Sequence, residues 1–435
     1  MKKLALHWRI LIGMLAGVIF AAVLTQFDWG KGFIVDWIKP FGTIFINALK
    51  LIAIPLILAS LITGIADLNN ITQLSRMGLR TLALYLVTTL IAVSLGLAIV
   101  NLVQPGSSVS EETRAQLIAS YENQAGDRIT AAEKQKSSGP LKALEDLIPD
   151  NIISSASSNG NMLQVIVFSI FFGLGLILIS PEKAAPVKGF FAGLNEVVLK
   201  MIDLIMLAAP IGVFALLAAI IAESPGSDLF VALFWYALSV GSGLVILYLF
   251  YMLLVWLFTG KSPRFFLNGI APAQLLAFST SSSAATLPVT MERVTEHLGV
   301  DEDVASFVLP VGATVNMDGT SLYQAVAAVF IAQTFGMELS LGTQLGIILT
   351  ATLASIGSAA VPGAGMVMLV IVLAQAGIPE VGLALIFAID RPLDMCRTSI
   401  NVTGDATVSM IVANSLGRLG VPMPHNWDER LENVI

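Results

Sequence analysis

Asp390, Arg391, Asp394, Arg397, Thr398, Asn401 and Asp405 stand in one otherwise apolar segment of a 435-residue chain. At about 100° per residue, all of these except Arg391 share an arc of roughly 100°, and Arg391 lies at its margin. A helix that puts both signs of charge on one stripe faces a polar cavity rather than lipid. A charge at the centre of a bilayer costs about 2.5 kcal/mol or more, so ionisable groups there mark sites and pathways. A salt bridge that only fastens helices together needs a single pair, and this stripe exceeds that need. Cys396 projects about 120° away from Asp390 and is expected to pack.

A second run, Gly312-Ala313-Thr314-Val315-Asn316-Met317-Asp318-Gly319-Thr320, interrupts the preceding apolar helix. Its glycines loosen the helix, so that unwound carbonyls, the Asn316 amide oxygen and the Asp318 carboxylate can turn inward. Hard oxygen ligands without sulfur or imidazole suit an alkali cation, not zinc or copper. Arg397, in a dry site, prefers a bidentate carboxylate partner. Asp394, about one turn earlier, offers an anion suited to an ammonium group. The serine-rich run Ser279 to Ser283 supplies backbone N–H groups and helix N-termini for a second carboxylate. Two anion sites and one cation site describe an acidic amino acid.

The elements that must hold these residues are membrane helices. Hydrophobic residues make up 56% of the chain and charged residues 12%, about half the share an ordinary soluble domain carries. Apolar blocks at Ile10 to Thr25, Thr81 to Val103, Met162 to Ser180 and Leu229 to Phe258 each approach the roughly 20 residues that cross a bilayer. A further span is expected at about Ile38 to Ile65. The start resembles a signal peptide but has no clear small-residue cleavage site, so it reads as an uncleaved first helix. Lys2, Lys3, Arg9, Arg76, Arg80, Lys183, Lys188, Lys261, Arg264 and Arg418 place both termini in the cytoplasm of a cell membrane. The polar stretch from Gln104 to Asp150 is expected to be a solvated, partly disordered outside loop. The net charge of -7 matters less than where the charges sit, nucleic-acid binding is excluded, and one cysteine allows no internal disulfide.

Two later segments are broken by Gly, Pro and Ser. The first runs over 265–297 around Ser279 to Pro288; the second runs over 341–376 around Ser355 to Gly365. Each reads as a re-entrant hairpin, the first entering from inside and the second from outside. Broken backbone at membrane depth is tolerated where it lines a cavity, and a matched pair of such segments points to a transporter binding site.

Four ordered motifs carry a resemblance over nearly the whole chain: Ser281 to Thr290, Asn316 to Thr320, Val361 to Gly365, and Asp394 through Arg397 to Asp405. The chain resembles the dicarboxylate/amino acid:cation symporters, and is most similar to the excitatory amino acid transporters and their prokaryotic glutamate/aspartate homologues. The resemblance implies an all-α membrane protein of eight transmembrane helices and two inverted re-entrant hairpins, assembled as a homotrimer. Residues 1–75 and 151–225 would form a scaffold, and 76–104 with 226–417 a transport domain moving as an elevator. Residues 105–150 would be the extracellular loop and 418–435 a cytoplasmic tail.

The same resemblance assigns Arg397 to the substrate side-chain carboxylate and Asp394 to its amino group. Ser282, Ser283, Thr398 and Asn401 would bind the main-chain end, with Thr320, Val361 and Gly365 closing over it. One sodium site would use Asp405 with carbonyls of Gly312, Asn316 and Asn401. Another would use Thr314 with carbonyls of Ser355, Ile356 and Ser358, and a third Asn316 and Asp318 with Tyr85, Thr88 and Thr89. Ser281 and Met395 stand where archaeal and animal relatives respectively carry Arg, Ala284 replaces a common serine, and Arg391 is an extra cation. Counter-transport of potassium or a proton therefore stays open.

The expected activity is sodium-driven symport of L-glutamate or L-aspartate, with sodium as co-transported ion, no organic cofactor and no enzymatic reaction. A C4-dicarboxylate symporter of the same fold is the alternative, although it would leave Asp394 without an ammonium partner. An intramembrane hydrolase built on Asp394 and Asp405 is disfavoured, because eleven residues separate them by about 16 Å of helix rise. An anion conductance would be a side activity.

Overall fold

The computed structural model describes residues 6–66, 75–120, 148, 150–157, 162–223, 228–356 and 363–423. Ser358, Val361, most of the polar loop and the end of the tail lie outside the described residues. Among the described residues the backbone is nearly all helical, and the one extended pairing is an isolated bridge between Val300 and Leu419. Long Leu, Ile, Val and Phe runs with internally bonded backbone are what a lipid solvent demands.

The first part of the chain forms α1 (Leu6–Leu24), α2 (Lys39–Ala66), α3 (Ser75–Val103), α4 (Met162–Leu178), α5 (Pro181–Glu223) and α6 (Asp228–Thr259). Among the described residues three helical stretches, Gly30–Thr63, Met77–Ser108 and Asp228–Thr259, are long and apolar enough to cross a membrane. The pair Pro181–Ile202 and Leu207–Ala219, bent by 49°, makes a fourth if taken as one span. Helices α1, α2 and α5 pack together, with α4 against α2. Gly17 of α1 touches the α5 backbone so closely that a β-carbon there would lie 2.5 Å from the Phe214 carbonyl oxygen. Small residues at such a crossing let backbones approach, which is how helices associate without a hydrophobic drive in lipid.

The start of the polar loop contains helix that the sequence reading did not specify. A 3-10 turn at Pro105–Ser108 leads into a helix at Glu111–Ser120. Asp228, at the start of α6, accepts from the Ser110 amide at 2.7 Å and the Thr113 hydroxyl at 3.1 Å. An acid able to satisfy two donors at once orders this stretch, which composition alone presents as solvated.

The second part contains the interrupted elements. Helices α7 (Pro263–Thr280) and α8 (Ser283–Glu292) are divided at Ser281, whose φ of 51° is left-handed. The Ser282 hydroxyl then caps α8 by accepting from the Ala285 amide at 3.2 Å. A π-helical turn, Arg293–His297, ends the returning arm, and Arg293 Nε donates to the Gly269 carbonyl at 2.7 Å. The two arms therefore run antiparallel and end on the same side. Helices α9 (Glu302–Val315) and α10 (Asp318–Thr334) are separated by Asn316 and Met317. The helix opens there and not at the two glycines expected to loosen it, because each glycine is held against α13 instead. Helices α11 (Leu341–Ile356) and α12 (Ala364–Gln375) form the second broken pair, with Gly363 at a φ of 81° opening α12.

Helix α13 (Leu383–Ser415) is the hub, packing against α6, α7, α9 and α10. Past its end the chain straps onto the turn before α9. Gly420 N donates to Gly299 O at 2.7 Å, and Asp301 N to Arg418 O at 3.2 Å.

Candidate functional site

Arg397 is entirely buried on α13. Its Nη1 lies 2.8 Å from Asp390 Oδ1, its Nε donates to Asp394 Oδ1 at 3.0 Å, and its Nη2 sits 2.9 Å from that same oxygen. The guanidinium carbon stands 4.0 Å from the centroid of the Tyr323 ring on α10. Asp394 Oδ2 accepts from Arg391 Nη1 at 3.3 Å and from the Gly363 amide at 3.2 Å. The four charged side chains all belong to α13. The ion pairs join turns of one helix, and its links to other elements are the Gly363 amide on Asp394 and the Tyr323 ring on Arg397.

Nη2 of Arg397 has no partner of hydrogen-bonding geometry despite its proximity to Asp394. It faces α12: a β-carbon on Gly365 would lie 3.2 Å from Nη2 and 3.0 Å from Thr320 Cγ2. The start of the second hairpin's returning arm thus sits directly on the guanidinium. Thr320 also accepts from Asn401 Nδ2 at 3.3 Å, and Asn401 Oδ1 accepts from the Gly319 amide at 2.8 Å. Thr398 is buried and donates to Asp394 O at 2.7 Å. Asp394, Arg397, Thr398, Asn401, Thr320 and Gly365 are therefore one constellation. Ser282 and Ser283 are buried at the tip of the first hairpin, whose α7 arm is docked on α13 by Ser399 donating to Gln274 O at 2.8 Å.

One turn further along α13 a second buried cluster surrounds Asp405. Asn316 Nδ2 donates to Asp405 Oδ1 at 2.9 Å, which leaves Asn316 Oδ1 buried without a hydrogen-bond partner. Gly312 faces the same carboxylate, where a β-carbon would lie 2.5 Å from Asp405 Oδ1 and would also strike the Tyr85 hydroxyl. Asp318 is fully buried, and its Oδ1 accepts from Thr89 at 2.6 Å. Thr88 donates to Tyr85 O at 3.1 Å, Thr89 Oγ1 also lies 2.8 Å from that carbonyl, and the Tyr85 hydroxyl donates to Val308 O at 3.0 Å. Two buried acids, an orphaned amide oxygen and a glycine cradle fit a small hard cation, since oxygen atoms are the only ligands offered.

Sequence reading missed the role of three residues here. Asp390 was on the stripe but was given no site role; Tyr323 packs its ring on Arg397; and Tyr251 of α6 donates to Asp318 Oδ2. The predicted cation set around Thr314 is less assembled. Thr314 is exposed, donating to Val311 O at 3.1 Å, and Ser355 donates to Thr352 O at 2.8 Å. Ile356, half-buried, ends α11, which packs against α9. Cys396 is exposed, contrary to the packing expected for it. Pro392, one turn before it, is exposed as well, whereas Thr403, Thr407 and Met410 further along the same side are buried.

A family model described as "Sodium:dicarboxylate symporter family" matches residues 6–415. The chain belongs to the sodium:dicarboxylate symporter family. It is similar to the "Proton/glutamate-aspartate symporter" of Escherichia coli, 35% identical across 94% of this chain and 93% of the relative. It is 33% identical to the "Proton/sodium-glutamate symport protein" of Bacillus caldotenax, covering 96% of each. It is 37% identical to "Excitatory amino acid transporter 1" of Ambystoma tigrinum, over 85% of this chain and 76% of the relative. Membership makes the chain a membrane transporter and not an enzyme.

Proposed function

We propose that this chain is a sodium-coupled symporter of L-glutamate and L-aspartate in a cell membrane. The observation that carries the reading is Arg397: fully buried, with Nη2 unspent and turned to the start of α12. A substrate carboxylate is the ligand whose charge and fork geometry match that guanidinium. Asp394 then receives the ammonium group, and Ser282, Ser283, Thr398 and Asn401 the main-chain carboxylate. Thr320, Gly365 and Val361 close over the substrate. Relatives bearing glutamate and aspartate in their names support the substrate class.

Sodium is written here as cargo. The Asp405 cluster with Gly312, Asn316 and Asn401, and the Asp318 cluster with Tyr85, Thr88, Thr89 and Asn316, would take two ions. Thr314 with Ser355, Ile356 and Ser358 would take another. Ion binding that orders the second hairpin would make each ligand tighten the other. Eight spans, two inverted re-entrant hairpins, cytoplasmic termini, a homotrimer and an elevator movement of 76–104 with 226–417 against the scaffold complete the reading.

A proton-driven reading is favoured by the proton named in the Escherichia coli relative, and alongside sodium in the Bacillus caldotenax one. Uptake of labelled glutamate and aspartate into proteoliposomes, with sodium, proton and potassium gradients imposed separately, decides between them. Accumulation driven by an inward sodium gradient alone is the expected result. Accumulation driven only by a proton gradient overturns the sodium assignment, and succinate outcompeting both amino acids overturns the substrate.

A further inference from the structure

We infer that Tyr251 is a positioning residue for the cation-binding carboxylate Asp318, fixing one oxygen so that the other is the one released to the ion. This rests on the sodium reading above. On the buried Asp318 carboxylate, Oδ1 takes the Thr89 hydroxyl at 2.6 Å and Oδ2 takes Tyr251, with the Thr88 hydroxyl also in reach of the group.

The two donors are not equivalent. Thr89 Oγ1 also lies 2.8 Å from Tyr85 O, a second acceptor already in place. Its proton can turn to that carbonyl, exposing a hydroxyl lone pair and freeing Asp318 Oδ1 together. Tyr251 is fully buried on α6, and its phenol can swing only the O–H about a ring fixed by packing. Gly404 seats that hydroxyl beside the Asn316 amide, since a β-carbon there would lie 2.9 Å from both Tyr251 Oη and Asn316 Nδ2. The same Asn316 amide group bonds Asp405 and leaves its Oδ1 orphaned. Tyr251 thus keeps Oδ2 while the Thr89 side opens, and the cation meets a carboxylate whose plane is already set. Without the phenol hydroxyl the carboxylate can rotate, and both oxygens compete for the threonine hydroxyls at 88 and 89.

The test uses the full chain in lipid nanodiscs. Sodium is titrated without substrate and the unfolding midpoint followed, for wild type and Tyr251→Phe. The half-saturating sodium concentration is expected to rise at least about tenfold, the scale of one hydrogen bond to a charged group. It should move more than the glutamate KM taken at saturating sodium. An unchanged sodium constant overturns the inference, as does a larger shift in the glutamate KM. Should Tyr251→Phe not fold, 3-fluorotyrosine at position 251 gives a fluorine resonance that should shift with sodium alone, and a resonance unmoved by sodium overturns the inference. A wild-type protein whose midpoint ignores sodium overturns the sodium reading and this inference with it. A wild-type response that survives Tyr251→Phe unaltered overturns this inference only.

Discussion

Gly319 and Arg397 touch through their backbones: a β-carbon on Gly319 would stand 2.6 Å from the Arg397 carbonyl oxygen and 3.1 Å from its Cα. The first turn of α10 therefore rests on the middle of α13, at the residue that carries the buried charge. Gly319→Ala should push the two helices apart. Overpacking of this kind costs about 1–3 kcal/mol, read as a lowered unfolding midpoint in detergent. Weakened glutamate binding should accompany it, because Thr320 and Asn401 lose their registration.

Removing Arg397 breaks two buried ion pairs. With Arg397→Ala, Asp390 loses its salt bridge to the guanidinium and Asp394 retains Arg391 and the Gly363 amide. Breaking a buried pair by deleting one member costs about 3–5 kcal/mol. Arg397→Cys should abolish uptake of acidic substrates while leaving serine or alanine uptake measurable. Unchanged glutamate uptake in a competition assay would remove the basis for the substrate assignment.

Asn316→Ala removes both the orphaned Oδ1 and the donor to Asp405. The sodium concentration for half-maximal uptake should rise by more than about tenfold, since an ion-ligand contact and a hydrogen bond to a charged group are lost together. Raising sodium should recover part of the glutamate affinity. An uptake curve superimposable on wild type across the sodium range would contradict this.

Arg418 gives the contrasting case. It reaches Asp301 at 3.5 Å and Asp303 at 3.2 Å, but its side chain is 46% exposed. Exposed pairs contribute about 0–1 kcal/mol, and the backbone strap at Gly299 and Gly420 survives the substitution. Arg418→Ala should shift the unfolding midpoint far less than Arg397→Ala, and added salt should narrow the difference from wild type.

Charge at membrane depth and the Gly, Ser and Asn interruptions were readable because lipid makes them costly. Ser281, Asn316 and Gly363 stand where the backbone leaves the helix, and the Asp390 to Asp405 stripe is buried as its spacing implies. What escaped was any role visible only through a partner. Tyr251 and Tyr323 sit in helices whose aromatic content is ordinary for a membrane, and only the fold brings them to Asp318 and Arg397. Cys396 failed for another reason: in lipid an apolar position can face outward as readily as inward, so an angle away from the stripe does not mean burial. The helix at the start of the polar loop was not foreseen, because its tie is to a single distant acid, Asp228.

Asp390 and Asp394 balance Arg391 and Arg397 on a single helix. Any displacement of α13 through the bilayer carries those four groups as an electroneutral set, with no pair pulled apart on the way. The membrane potential then finds no leverage on them. Voltage dependence in a transport cycle would then come from charges other than these four.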